Sequence, residues 1–136
     1  MIRMSIVRVI LPEITIEPSI APIVVLEERT GSRWFPIFIG PFEAAAIERA
    51  LAGERPPRPM THDLLINSIR KLGGTIEDVR IPRLEDGTFF ALLRVRVPDG
   101  QIREIDCRPS DAMAVAARAK CPILVDPEVL SEAQES

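Results

Sequence analysis

The sequence is poor in the residues on which metal-stabilised and secreted proteins depend. It contains one histidine and two cysteines, and Cys107 and Cys121 lie in no CxxC pair. This set cannot build a typical structural zinc site, and it suits reduced thiols in the cytoplasm. No apolar run approaches the length of a membrane span, and the first residues lack the features of a signal peptide. We therefore expect a cytoplasmic protein with no membrane partner.

The chain has no excess of positive charge, and it has few aromatic residues. The net charge is -3, so any binding to nucleic acid must rely on a local basic patch. There is no tyrosine and only one tryptophan, and the aromatics of the strands are expected in the core rather than stacked on bases. Gly73-Gly74 lacks the lysine and spacing of a phosphate-binding loop. These absences disfavour a dedicated DNA-binding module and ATP chemistry.

What the sequence does contain is a globular composition. Hydrophobic residues make up 46% and charged residues 27% of 136 residues, which is enough for one core without disulfides. We assign a single domain to residues 1–130 and an acidic C-terminal tail to residues 131–136, and a frayed helix could run over 126–136.

Local patterns predict the elements of the first half. Short β-branched runs predict strands over 4–11 and 21–28, and a third strand over 33–39 is bulged or at an edge near Pro36. A helix begins at Pro41 and ends at Gly53. A second helix has Thr61 as N-cap and an apolar stripe made of Leu65, Ile69 and Leu72.

The second half repeats this alternation. Strands are predicted over 75–81, 88–97 and 101–107, with a hairpin turn at 98–100. A helix follows over 109–120, and PILV at 122–125 is a short closing strand. The fold class is therefore α+β, with a mixed β-sheet and about three helices.

The two halves resemble each other. GPFEAAAI at 40–47 and RPSDAMAV at 108–115 share the pattern proline, any residue, acid, alanine, and each follows a predicted hairpin. This suggests an internal duplication of a strand-hairpin-helix unit, related by a pseudo-twofold axis.

Candidate chemistry concentrates at helix starts and strand ends. Asp63, Asp106 and Asp111 could together hold Mg²⁺ or Mn²⁺, while Arg58 and Arg108 would clamp a phosphate. The lone histidine, His62, has the right chemistry for proton transfer near neutral pH. The plainer interpretation is that Asp63, Asp111 and Glu43 cap helices and that His62 merely follows Thr61.

Other side chains give weaker indications. Ser110 and Cys107 each adjoin an aspartate but lie in no nucleophile signature, so a helix-capping serine and an inert thiol are expected. Arg94, Arg96 and Arg103 could form a basic stripe along a phosphodiester backbone, or simply a solvated sheet face.

Four motifs stand in the order and spacing of the bifunctional nuclease domain family: RWFPIFIGPFEAAAI, PRPMTHDLL, LEDGTFFALL and IDCRPSDAMAVAARAKCPILV. The resemblance covers about residues 4–130. It implies an α+β domain, commonly a homodimer in bacterial members, and hydrolysis of RNA and DNA as reported for plant relatives. Phe38 replaces a tryptophan frequent in the family, and Cys107 replaces a serine, so no serine hydroxyl acts at that position.

The resemblance marks nine residues as candidates: Glu43, Arg58, Thr61, His62, Asp63, Asp106, Arg108, Ser110 and Asp111. The first hypothesis is a nuclease with His62, Asp63, Asp106 and Asp111 as catalytic residues. In this hypothesis the substrate-binding residues are Arg58, Thr61, Arg108 and Ser110, and the metal ligands are Asp63, Asp106 and Asp111. The alternative is a non-enzymatic ligand-binding or regulatory dimeric module.

Overall fold

The computed structural model describes residues 1–11 and 21–135. Seven strands and four helices follow one another along this part of the chain. Their bounds are β1 Ile2–Ile10, β2 Ile23–Glu28, β3 Trp34–Phe38, α1 Pro41–Leu51, α2 Thr61–Lys71, β4 Thr75–Glu85, β5 Thr88–Arg96, β6 Ile102–Cys107, α3 Pro109–Ala119, β7 Ile123–Val125 and α4 Pro127–Glu135. The predicted α+β class is confirmed, with one helix more than expected.

All seven strands form one mixed sheet in the order β3-β2-β1-β7-β4-β5-β6. Every pair is antiparallel except β4 and β7, which run parallel. Strand β3 lies at an edge of the sheet, as predicted. Pro36 has no backbone N–H to donate to a neighbouring strand, and an edge strand tolerates this because it pairs with a neighbour on one side only. The short strand at 122–125 is not at the end of the sheet but in its middle, between β1 and β4.

The arrangement of the strands fits the suggested duplication. Strands β1 to β3 form an antiparallel meander that is followed by α1, and strands β4 to β6 form one that is followed by α3. The two meanders flank β7, and the directions of corresponding strands are opposite. A twofold axis perpendicular to the sheet and through β7 would produce this order and these directions.

Helix α3 is the centre of the core. It packs against β4 and β5 on one side and against α1 and α2 on the other. Between residues 110 and 116 of this helix, every residue except Asp111 is buried: Ser110, Ala112, Met113, Ala114, Val115 and Ala116. Small alanine side chains let the neighbouring elements approach this helix on every side. The start of α3 is thereby fixed relative to the sheet.

Helix α2 differs from the sequence prediction in two respects. Its N-cap is Met60, and Thr61 is the first helical residue, so the prediction that Thr61 caps the helix is wrong. Its one buried residue is Ile66, whereas Leu65 and Leu72 of the predicted apolar stripe are exposed. The capping oxygen comes from Asp63, which accepts a hydrogen bond from the Met60 N–H at 3.0 Å.

Helix α4 runs through most of the predicted tail. Val129, Leu130 and Ala133 are buried, and α4 packs against β3 and β4. The boundary drawn at residue 130 therefore falls inside a packed helix. Residue 136 of the predicted tail lies outside the described residues.

Candidate functional site

A cleft of about 890 Å³ opens where three parts of the chain meet. They are the end of β3, the turn and first residues that begin β5, and the segment from Asp106 to Asp111 that joins β6 to α3. Its apolar wall contains Ile37, Phe38, Ile39, Phe89 and Phe90, and its polar wall contains Thr88, Asp106, Arg108, Ser110 and Asp111. The remaining lining residues are small or apolar: Ala21, Gly40, Gly87, Cys107 and Pro109. The cleft is amphipathic.

Helix α3 begins at the polar wall of this cleft. Arg108 is the N-cap residue, so the prediction that Ser110 caps this helix is wrong. Pro109 takes the first helical position, and Asp111 lies in the first turn. The Arg108 guanidinium binds the Asp111 carboxylate at two points, with Nε to Oδ2 at 2.9 Å and Nη2 to Oδ1 at 3.2 Å. The Arg108 side chain is 68% exposed, so its remaining N–H groups can reach a ligand in the cleft.

Asp111 also binds His62, which is 49 residues away in the sequence. The His62 Nε2 atom lies 3.0 Å from Asp111 Oδ1. A carboxylate can only accept, so Nε2 carries the proton in this pair and Nδ1 is the acceptor when the ring is neutral. The structure therefore brings His62, Arg108 and Asp111 together, three of the predicted residues.

The two partners of Asp111 set its ionisation. Partial burial by itself raises the pKa of Asp111, but hydrogen bonds from Arg108 and His62 and their positive charges outweigh burial and lower the pKa below its ordinary value. Asp111 is thus a carboxylate at neutral pH. It is a stable acceptor and a poor proton donor.

His62 does not line the large cleft. It lines a separate small pocket of about 20 Å³ between α1, α2 and α3, together with Arg49, Asp63 and Arg118. Asp111, by contrast, lines the cleft. Asp111 is therefore the residue through which His62 is connected to the cleft.

Asp63 is engaged in the same helix junction. Besides capping Met60, it forms an ion pair with Arg118 of α3, with Arg118 Nε 3.1 Å from Asp63 Oδ1. Arg118 Nη1 also donates to the backbone oxygen of Glu54 at 2.6 Å. Sequence reasoning missed Arg118. One feature of the sequence could have indicated it: Arg118 and Asp111 are the only charged residues of this alanine-rich helix, and a charge that becomes buried needs a partner.

The other predicted residues divide between cleft and surface. Asp106 is exposed on the cleft wall, and Ser110 is buried there with 7% of its surface exposed. Arg58 and Thr61 are exposed and do not line the cleft. Glu43 lies in the first turn of α1, with its carboxylate over Gly40 and its charge acting on Arg108. Its position matches that of Asp111 in the other half.

The predicted metal ligands come together only in part. Asp106 and Asp111 line the same cleft, but Asp63 is held in the helix junction. Across residues 1–11 and 21–135, no three His, Cys, Asp or Glu side chains group closely enough to form a metal site. Two carboxylates still fit Mg²⁺ or Mn²⁺ chemistry, since Mg²⁺ is often held by one or two carboxylates and by the phosphates of a substrate.

The thiol at the cleft is unsuited to nucleophilic attack. Burial raises the pKa of Cys107 to about 11, and the negative charges of Asp111 and Asp106 act in the same direction. A thiol with this pKa is protonated at neutral pH. The expectation of an inert thiol agrees with this environment.

The possible basic stripe on the sheet is largely neutralised. Arg94 binds Asp78 at 2.9 Å and lies 3.4 Å from Glu104, and Arg96 binds Glu77 at 2.7 Å. The solvated face with ion pairs is therefore the better description of this surface. The side of the cleft that contains Arg108 is a better candidate for binding an anion than this surface of the sheet.

Within residues 1–11 and 21–135, no helix combines the length and the apolar character needed to cross a membrane.

Comparison with known proteins gives a family match over most of the chain. The family model described as "Bifunctional nuclease domain" matches residues 24–136. The uncharacterized proteins Rv1829 and MT1877, from two strains of Mycobacterium tuberculosis, are 44% identical over 117 residues, which is 86% of this chain and 69% of theirs. Bifunctional nuclease 2 of Arabidopsis thaliana is 28% identical over 111 residues, which is 80% of this chain and 33% of the plant protein.

Proposed function

Because the chain belongs to the bifunctional nuclease domain family, we propose that it hydrolyses phosphodiester bonds of RNA and DNA in the cleft at the start of α3. The observation that carries the proposal is that one cleft combines an exposed arginine, two carboxylates and an aromatic wall. A nucleotide has the matching character, with an anionic phosphate joined to a planar base. The name of the plant relative supports the same class of reaction.

The apolar wall has room for a base. Phe38, which the sequence placed in the core, is 68% exposed and lines the cleft. Phe89 is already stacked on Phe35, and Arg83 lies 4.0 Å from the centre of the Phe90 ring. Phe38 is therefore the ring most accessible to an unpaired base, and such stacking tolerates any base sequence.

The polar wall supplies the groups for hydrolysis. We assign phosphate binding to Arg108, whose guanidinium would stabilise the charge that develops on the phosphoryl oxygens. The Asp106 side chain, which makes no hydrogen bond or ion pair within residues 1–11 and 21–135, would accept the proton of the attacking water. His62 holds Asp111 in place from behind the cleft, so we assign it a positioning role.

A divalent ion belongs to the proposal through Asp106 and Asp111, the two carboxylates on the cleft wall. When bound there, Mg²⁺ or Mn²⁺ would polarise the phosphate and activate water. The residues of the chain would orient the phosphate and keep Asp111 ionised. Arg58 and Thr61 stay predicted substrate contacts outside the cleft, and Ser110 is a predicted contact inside it.

The test is hydrolysis of fluorescent single-stranded RNA and DNA by rigorously purified protein with Mg²⁺, with Mn²⁺ or with EDTA. Arg108→Ala and Asp106→Asn should each lower turnover at least tenfold while circular dichroism shows that both variants are folded at the assay temperature. Arg103→Ala and Glu132→Gln are matched controls, because both residues are exposed and outside the cleft. Equal turnover in the cleft variants and the controls would point to a contaminating nuclease and overturn the proposal.

One observation favours the second hypothesis, a non-enzymatic ligand-binding or regulatory module. His62 and Asp63 both contact α3 in the helix junction, so part of the family motif PRPMTHDLL is used to attach α2. A binding module would bind nucleotides or short oligonucleotides in the cleft without hydrolysing them under any metal condition. Variants of Arg108 would then change affinity alone.

The homodimer that the resemblance implies and the cytoplasmic location that the amino-acid composition predicts are part of the proposal. Exposed Leu64, Leu65 and Leu72 on α2 offer apolar surface that a second copy would cover. Light scattering after size exclusion measures the oligomeric state, and fractionation of the producing cells measures the location. A monomer at micromolar concentration would remove the dimer from the proposal.

A further inference from the structure

The polar contacts of helix α2 with α3 lie in its first turn. Ile66 is its one buried residue, and Leu64 and Leu72 are 61% and 82% exposed. Residues 53–60 before it contain three prolines, and the glycine pair 73–74 follows it. Because Ile66 and the partly buried Ile69 are the apolar residues of α2 that pack against the core, the polar contacts of its first turn contribute to where α2 lies against α3.

Two contacts of opposite polarity join these helices. His62 binds Asp111 at 3.0 Å, and the next residue, Asp63, pairs with Arg118 at 3.1 Å. Asp111 and Arg118 are seven residues apart, about two turns and roughly 10 Å along one face of α3. Adjacent residues of α2 therefore reach two separated points of α3, which fixes both the position and the direction of the α2 start.

Arg118 does more than pair with Asp63. It also donates to the backbone oxygen of Glu54 at 2.6 Å, at the beginning of the segment that leads into α2. Its side chain is 15% exposed and that of Asp63 is 19% exposed, so water screens the pair only weakly. Asp63 in turn holds the Met60 N–H at 3.0 Å. The Arg118 guanidinium thus connects Glu54, at the start of the segment between α1 and α2, with Asp63 in the first turn of α2.

We infer that Arg118 is a positioning residue for the candidate site: by holding Asp63 and the Glu54 carbonyl, it keeps His62 within hydrogen-bond distance of Asp111. Its effect on Asp111 is indirect, through α2 and His62. The consequence for hydrolysis rests on the proposed function, whereas the consequence for the His62 hydrogen bond does not. The two consequences can therefore be measured separately.

The first measurement is the nitrogen NMR spectrum of the imidazole, which is unambiguous because His62 is the only histidine. At a pH where the ring is neutral, the wild type should show a protonated Nε2 and an unprotonated Nδ1. In Arg118→Met the spectrum should move toward an average of both tautomers. Arg118→Lys should lie between the two, because lysine keeps the charge and loses the fork of donors.

Arg49→Met is the matched control. Arg49 lines the same small pocket but forms no ion pair within the described parts of the chain, so its loss removes a nearby positive charge without breaking the contact to Asp63. The His62 spectrum of Arg49→Met should equal that of the wild type. An unchanged His62 spectrum in folded Arg118→Met would overturn the inference, and so would an equal change in Arg49→Met.

The second measurement is turnover. If the wild type hydrolyses nucleic acid, Arg118→Met should lower kcat at least fivefold with KM within twofold, and Arg118→Lys should recover part of the loss. A changed His62 spectrum with unchanged kcat would refute the role of Arg118 in the reaction. A wild type without turnover would refute the proposed function, and the NMR result would still decide the positioning.

Folding of the variants is checked by circular dichroism. If Arg118→Met does not fold, Asp63→Asn is the second variant, because its amide oxygen can still accept from Met60 while the charge that pairs with Arg118 is gone. The same change of the His62 spectrum is expected in it. A wild-type His62 spectrum in folded Asp63→Asn would overturn the inference.

Discussion

The ring of Phe35 on β3 stacks on the ring of Phe89 on β5, with centroids 5.3 Å apart and an angle of 22° between the rings. Four strands separate β3 from β5 in the sheet order. The contact is possible only because the sheet curls until its two ends approach each other. The cleft lies at this approach, since both strands contribute to its lining.

Phe35→Ala should therefore be among the most damaging substitutions in the protein. The side chain is 1% exposed, and truncation of a buried phenylalanine costs about 3–5 kcal/mol. Urea denaturation followed by circular dichroism measures the free energy of unfolding. A loss below about 1 kcal/mol would show that the two ends of the sheet do not depend on this contact.

Phe38→Ala, three residues later on the same strand, should behave in the opposite way. Because Phe38 is 68% exposed, its loss should change the free energy of unfolding by about 0.5 kcal/mol or less. Its loss should weaken binding of a single-stranded oligonucleotide by about 1–3 kcal/mol, the usual contribution of one stacked base. Fluorescence anisotropy in EDTA measures binding without cleavage. Unchanged affinity would remove Phe38 from the proposed base site.

Asp111→Asn should lower stability in a pH-dependent way. The folded-state pKa of Asp111 lies below the ordinary value, so the charged form contributes stability that is present above the unfolded pKa and lost as pH falls through the folded pKa. Near neutral pH, losing hydrogen bonds to charged partners should cost about 1.5–3 kcal/mol. The difference from the wild type should shrink below about pH 4, the ordinary range for aspartate.

Urea melts of both proteins across this range test the sign. The wild type should lose its advantage as the solution becomes more acidic. An advantage that instead grows with acidity would mean that Asp111 is stabilised in its protonated form. Arg108→Ala should reduce the same advantage, because Arg108 supplies two of the hydrogen bonds.

Both cysteines should react slowly in the folded protein. Burial, together with nearby carboxylates, raises the pKa of Cys107 and of Cys121 to about 11. The thiolate fraction at neutral pH is then roughly a hundredfold below that of a free cysteine. Reaction with a disulfide reagent should be slow until urea unfolds the chain. Cys107→Ser should keep any hydrolytic activity, and loss of activity in that variant would restore a chemical role for the thiol.

Local patterns predicted the elements well because turns and periodicity are local properties. The predicted bounds of strands β5 and β6 differ from the observed ones by at most one residue. Gly100, the glycine of the predicted turn between them, has a φ of 90°. The sheet order was beyond reach, since the position of β7 depends on partners far away in the sequence. The buried face of α2 was also misjudged, because Leu65 and Ile66 are equally apolar and only the packing against α3 distinguishes them.

The candidate site was predicted as a set of residues but not as an arrangement. His62 and Asp111 were both candidates, yet nothing local indicates a contact across 49 residues. Asp63 was expected beside Asp111 and lies in the helix junction instead, because Arg118 binds it there. The role of Arg118 depends on the crossing of α2 and α3. Motif spacing contains no information about that crossing.

The central place of β7 has a consequence for how the chain acquires this structure. The strand that joins the two halves of the sheet has only three residues, Ile123–Val125, and a ribosome makes it after β1 to β6. Until it emerges, each half exposes the unpaired edge of β1 or of β4. Each nascent chain is thus open to pairing with a neighbouring one during this interval, and a stop codon before Ile123 would make that vulnerability permanent.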